Sequence, residues 1–178
     1  MNFCPYNGAM HYSYCPHCGQ LLTLKDAGDD GKVPYCLECR RYYFDSFSTC
    51  VIGLIENEDG EIVTLKQNYL SPIYWTLPAG YMKPNETAEE AFRREVKEEL
   101  GLELEELHLK ATFSYPLNGN LMIGFFAKAK KQPLRLSKEI DEGRWTKLEE
   151  AGAILFPPAP GNASYGLWKR RMSLSTNK

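Results

Sequence analysis

The chain has 178 residues, of which 43% are hydrophobic and 25% charged, and a formal net charge of −2. That size and balance suit one ordinary soluble domain plus a small module, and they exclude a strongly basic surface built for general nucleic-acid binding. No apolar run is long enough to cross a bilayer, and residues 1–20 lack a basic start followed by an apolar stretch; with no signal peptide or span in view, a reducing cytoplasm is the expected setting.

Cysteines stand at 4, 15, 18, 36, 39 and 50. Cys15-Pro-His-Cys18 and Cys36-Leu-Glu-Cys39 form two short knuckles with seventeen residues between them. Each knuckle offers two thiolates, and together they fit the four-cysteine Zn²⁺ site of a zinc ribbon. Two disulfides are the competing reading, which a reducing compartment disfavours; redox chemistry at a lone Cys-x-x-Cys is a third, against which the pairing of knuckles argues. A closed four-sulfur site leaves no position for substrate, so its expected role is structural. Residues 1–45 hold too few apolar side chains for a core of their own, and the metal substitutes for one. His17 is read as exposed, Cys4 as a free thiol and Cys50 as a buried small hydrophobe. His11 and His108 are read as exposed.

From residue 46 the pattern changes. Phe47–Ile55 is β-branched and apolar, which predicts a buried strand; the turn at 56–60 and the run Glu61–Leu65 complete a hairpin. Residues 66–74 read as a loop that leads through Trp75–Ala79 into the most informative stretch, Gly80–Leu102. Gly80, Pro84 and Asn85 predict a turn-rich start. Thr87 with Glu90 fits a capping box, so a helix is expected over 88–100, closed by Gly101, with Ala88, Phe92, Val96 and Leu100 as its buried stripe. Glu95, Glu98 and Glu99 then share one helical arc. Their mutual repulsion is relieved if they hold hard divalent cations such as Mg²⁺ or Mn²⁺. Glu86 can join the cluster, and Arg94 can orient one carboxylate through a forked hydrogen bond. A solvated charged face is the plain alternative. Further on, Leu107–Tyr115, Leu121–Ala129 and Arg144–Lys147 read as strands and Leu148–Ala153 as a short helix. After a proline-rich break, Asn162 can cap a last helix carrying Leu167, Trp168 and Met172.

Gly80, five residues, Glu86, seven residues, then Arg94-Glu95-Val96-Lys97-Glu98-Glu99-Leu100-Gly101-Leu102 fills every fixed position of the Nudix box, and the chain resembles that family. The resemblance implies an α/β fold, the Nudix α/β/α sandwich with a mixed sheet, over residues 46–178, behind a ribbon over 1–45. It also implies metal-assisted hydrolysis of a nucleoside diphosphate linked to another moiety. Glu95 and Glu99 would hold the catalytic cations together with the Ala79 carbonyl and Glu139, and Glu98 would bind a second ion or orient water. Glu98 or Glu139 would take the proton.

A zinc ribbon ahead of the box is similar to the NADH pyrophosphatase branch. Residues 112–120 align with that branch's specificity segment and keep Pro116, Leu121 and Met122 beyond it, while most other positions depart. Lys138-Glu139-Ile140-Asp141-Glu142-Gly143-Arg144-Trp145 resembles the segment that supplies the outlying ligand Glu139. By the same resemblance, Tyr81 is a base-stacking candidate, Tyr115 another, and Ser164 lies where backbone closes the site. The implied substrate is a small nucleotide: NADH or NAD⁺, with ADP-ribose or a nucleotide sugar as the alternative favoured by the eroded segment. The branch further implies a homodimer. NAD-capped RNA shares the bond chemistry, but the acidic pI gives it no support. From a different class, a nucleic-acid-binding ribbon with Lys32, Arg40 and Arg41, joined to an inactive sensor, is disfavoured because no box carboxylate is lost.

Overall fold

The computed structural model describes residues 12–115 and 119–175. The expectations for Cys4, His11 and Pro116 fall outside these residues. Strands β1 (Thr23–Asp26), β2 (Lys32–Cys36) and β3 (Arg41–Tyr42) form a small antiparallel sheet. Among the described residues before β4, the buried ones are Cys15, Val33, Tyr35 and Cys36, and none of these belongs to the apolar clusters of the larger sheet.

The larger sheet is mixed, as predicted. It contains β4 (Ser48–Glu56), β5 (Glu61–Lys66), β6 (Ala79–Tyr81), β7 (Glu106–Tyr115), β8 (Asn120–Lys128) and β9 (Glu142–Lys147). Its order is β7-β8-β4-β5-β9, with β6 added to β4. β4 runs parallel to β8 along its whole length and antiparallel to β6. Both faces of β4 are covered, which explains its continuous apolar run. Val51 and Ile55 point to the layer of α1 (Ala88–Leu100), where Phe92 stacks on Phe125 at 5.5 Å between centroids. Ile52 and Leu54 point to the layer of α2 (Leu148–Ile154) and α3 (Ala163–Ser175), where Leu148, Ala151 and Leu167 are buried. Each fully buried large side chain here contributes about 1.5–3 kcal/mol.

Local chemistry set several boundaries where expected. Thr87 and Glu90 complete the capping box, and Gly101 takes the left-handed conformation at φ 68°. Asn162 Oδ1 accepts the Tyr165 N–H at 3.1 Å, capping α3. Two expectations shift. β9 begins at Glu142 rather than Arg144, because pairing with β5 extends to Lys66 and a Lys66–Glu142 ion pair at 3.0 Å outweighs the poor strand propensity of Glu-Gly. Gly80 lies in strand β6, paired with Val51, rather than in a loop. α3 is also tied to the end of β4, where Arg171 donates to both oxygens of Glu56 at 2.7 and 2.8 Å.

Candidate functional site

The carboxylate centre is assembled from α1, β6, the 82–87 turn and the turn around residue 139. Arg94 organises it. Its Nε and Nη2 donate to the two oxygens of Glu86 at 2.9 and 2.7 Å, and its Nη1 donates to Glu95 at 2.6 Å and Glu98 at 3.2 Å. Nη2 also donates to the Tyr81 carbonyl at 3.2 Å. The fork expected of Arg94 is therefore spent on Glu86, whose carboxyl is held down at about 2 by Arg94 and by the Lys83 N–H. Glu86 anchors the arginine, and the open carboxylates are the other ones.

Glu95 lies against β6, where a Cβ on residue 80 would overlap its carboxyl group. This is why glycine stands there and why the strand can approach the helix so closely. Gly80→Ala is expected to displace the Glu95 carboxylate and lower turnover by about 10²-fold at unchanged fold, since a shift near 1 Å is enough; circular dichroism beside steady-state rates checks it.

Glu99 is the telling residue. It is buried on the inner face of α1 among Ala91, Phe92, Val96 and Leu100, and its Oε2 has no hydrogen-bond partner. Burial, then the charges of Glu95, Glu139 and Glu98, push its carboxyl up to about 8. Glu139 is exposed in a turn stitched to α1, with Ser137 N–H donating to the Glu99 carbonyl at 2.9 Å. Glu98 is half-exposed, with Lys83 Nζ at 3.8 Å. An orphaned carboxylate oxygen within electrostatic reach of three further acids has the chemistry that a hard divalent cation satisfies, while among the described residues only the four knuckle cysteines bring three or more ligand atoms within 4.8 Å of one another.

Of the other candidates, Ala79 opens β6, opposite Ile52. Tyr81 is exposed, and its Oη accepts from Asn120 Nδ2 at 3.4 Å. Tyr115 pairs with that same Asn120 in the β7–β8 register, so both tyrosines border one residue that the sequence did not single out. Ser164 is buried, and its hydroxyl is engaged with Thr76 Oγ1 at 2.8 Å, which leaves only its backbone to meet a ligand. Cys50 is buried, and His17 and His108 are exposed, the latter 3.7 Å from Glu106.

The four knuckle thiols converge, all within 4.8 Å of one another. Cys15 and Cys39 sulfurs are 3.8 Å apart and Cys18 and Cys36 sulfurs 3.5 Å. A tetrahedral ion with bonds of about 2.3 Å needs sulfurs about 3.8 Å apart. The cluster fits. Burial opposes ionisation of Cys15, yet hydrogen bonds from Tyr43 Oη at 3.0 Å and from backbone N–H groups bring it down to about 6. Its hydrogen bond to Cys18, then burial, push Cys39 up to about 12.

An acidic helix thus lies over a mixed sheet, with a glycine-bearing strand against its Glu95 carboxylate. The NUDIX domain model matches residues 47–168, which is 122 of the 178, and the chain belongs to the NUDIX family. It is 28% identical over 157 residues to the NAD-capped RNA hydrolase NudC of Pseudomonas aeruginosa, covering 88% of this chain and 53% of that one. It is 31% identical over 151 residues to the chloroplastic Nudix hydrolase 19 of Arabidopsis thaliana, covering 80% and 34%. These matches agree with the branch that the ribbon and downstream segments resemble. The chain spans about half the length of the first of these relatives and a third of the second. The crystal structure of a NUDIX hydrolase from Nitrosomonas europaea superimposes with a TM-score of 0.71 at 24% identity, over 91% of this chain and 93% of that one. Among the described residues no helix is long and apolar enough to cross a membrane.

Proposed function

We propose that this chain hydrolyses the diphosphate bond of a nucleoside diphosphate linked to another moiety, with an NAD(H)-type dinucleotide as substrate class. The observation that carries the proposal is the buried, unpartnered Glu99 carboxylate beside Glu95, Glu98 and Glu139. Glu95, Glu99, Glu139 and the Ala79 carbonyl are the residues that would hold Mg²⁺ or Mn²⁺. When bound, the ion neutralises charge developing on the diphosphate and acidifies the attacking water. Glu98, more accessible than Glu95 and Glu99, accepts the water proton, and Arg94 holds Glu95 and Glu98 in place. The water oxygen bonds to one phosphorus as the bridging P–O bond breaks, and the second phosphate leaves carrying the bridging oxygen. Tyr81 and Tyr115, which border the same Asn120, together receive one substrate base, and the backbone at Ser164 borders the site. Residues 1–45 form a Zn²⁺-held structural ribbon, and residues 46–178 carry the chemistry.

The test is hydrolysis of NADH, NAD⁺, ADP-ribose and ADP-glucose with Mg²⁺ or Mn²⁺, with products separated by chromatography. AMP and a second mononucleotide from NADH are expected. Preference for ADP-ribose would move the substrate to the single-base class, and no turnover of any compound by folded, zinc-loaded protein would overturn the proposal.

A further inference from the structure

Tyr69 lies in the loop between β5 and β6 and is 75% exposed, more than any other large apolar or aromatic side chain among the described residues. A single exposed ring is ordinary at a protein surface, so what matters is where its loop holds it. The loop is nonetheless well fixed. Leu70 and Ser71 N–H groups return to the Gln67 carbonyl at 2.9 and 3.1 Å, and the buried Ser71 hydroxyl accepts the Ile73 and Tyr74 N–H groups at 3.1 and 3.0 Å. The strongest restraint is a clip to the turn that carries Glu139. Asn68 N–H donates to Asp141 Oδ2 at 2.6 Å, and Asp141 N–H donates to the Lys66 carbonyl at 3.1 Å. Tyr69 thus follows directly on a residue hydrogen-bonded two positions beyond Glu139.

We propose that Tyr69 is a specificity-determining residue, a stacking platform for an aromatic base of the substrate, held beside the carboxylate centre by the Asn68–Asp141 clip. The inference deepens the hydrolase reading and rests on it for the identity of the ligand. A dinucleotide presents two aromatic rings, and Tyr81 accounts for one. The geometry is the clip itself, which ties the residue before Tyr69 to the turn of Glu139; in keeping with it, partial shielding of the phenol first, then the charges of Glu99, Glu139 and Tyr81, raise the Tyr69 pKa. An exposed ring on a preordered loop loses little freedom on stacking, so its contact contributes to affinity. One loop–turn unit then carries both an acid of the centre and a base platform.

Binding and turnover separate this inference from the hydrolase reading. In fluorescence titrations of the zinc-loaded full chain, Tyr69→Ala is expected to weaken NADH binding about 10-fold, and Tyr69→Trp is expected to restore it, as stacking on a ring of either kind allows. AMP inhibition should weaken with it if adenine is the stacked ring, and inhibition by inorganic pyrophosphate, which has no base, should stay unchanged. In turnover the loss appears in KM, with kcat within about twofold. Equal NADH affinity in wild type and Tyr69→Ala overturns the inference, as does a parallel loss of pyrophosphate binding, which would mark a structural role. A wild type that binds NADH with the expected Tyr69 dependence but hydrolyses nothing would overturn the hydrolase reading alone.

Discussion

Glu99→Gln is expected to lower turnover by about 10³-fold while making the magnesium-free protein more stable above pH 8. The first effect follows from removing a charged oxygen at the heart of the donor set, a change worth about 4 kcal/mol of transition-state stabilisation at tenfold per 1.4 kcal/mol. The second comes from the same burial that makes the residue useful. The folded protein holds the Glu99 proton up to about 8, whereas the unfolded chain releases it at the ordinary carboxylate value. The folded state therefore binds more protons between these limits. The stability contributed by the protonated group is full below the unfolded value, declines as pH rises, and is gone above about 8. Glutamine carries no such penalty. Urea unfolding at pH 5 and pH 9, with zinc retained and magnesium omitted, should show the wild type losing stability across that interval and the variant losing much less. Added Mg²⁺ should rescue the wild type at pH 9 and leave the variant unmoved. A variant with wild-type pH dependence would mean that Glu99 is solvated in solution.

Removal of zinc is expected to unfold residues 12–44 and leave the six-stranded sheet folded. Among its described residues the ribbon buries four side chains, two of them knuckle cysteines, and none of the four joins the cores around Phe92 or Leu167. A structural Zn²⁺ site supplies about 10–16 kcal/mol of apparent binding free energy, far more than so small an apolar centre can. Cys36→Ser, which replaces a buried sulfur 3.5 Å from Cys18, should reproduce the effect of chelation. Amide hydrogen exchange is the measurement: β1, β2 and β3 should lose protection while β4 and β8 keep theirs. Simultaneous loss in β4 would show that ribbon and sheet fold as one unit and would move the boundary proposed at residue 45.

What could be read from sequence was local or periodic. Thr87, Glu90 and Gly101 delimit α1 because capping depends on residues three positions apart, and the apolar run of β4 announces a strand covered on both faces. The spacing of the knuckles was enough to bring four sulfurs together. What escaped depends on the third dimension. A four-residue repeat found Phe92, Val96 and Leu100, with Ala88 partly buried against the same core, but it passed over Ala91 and, against its polarity, Glu99. Nothing along the chain says that Glu86 saturates the Arg94 fork, because that pairing requires the 82–87 turn to fold back over the helix. The strand at Gly80 was hidden because glycine signals turns unless a neighbouring side chain fills its missing Cβ. Tyr69 and Asp141 are unremarkable residues until a bond across more than seventy positions joins their loops.

The parallel pairing of β4 with β8 also bears on how the molecule comes into being. Ser48 pairs with Asn120, so the central contact of the sheet closes a loop of 72 residues. Contacts of such long range incur their closure entropy before any burial rewards them, and they slow folding. During synthesis α1 can form on its own local signals while β8 has yet to be made. The acidic cluster is then a solvated helix face first, with its carboxylates free to ionise independently, and the turn that bonds Ser137 to Glu99 reaches it only after β8 has been made.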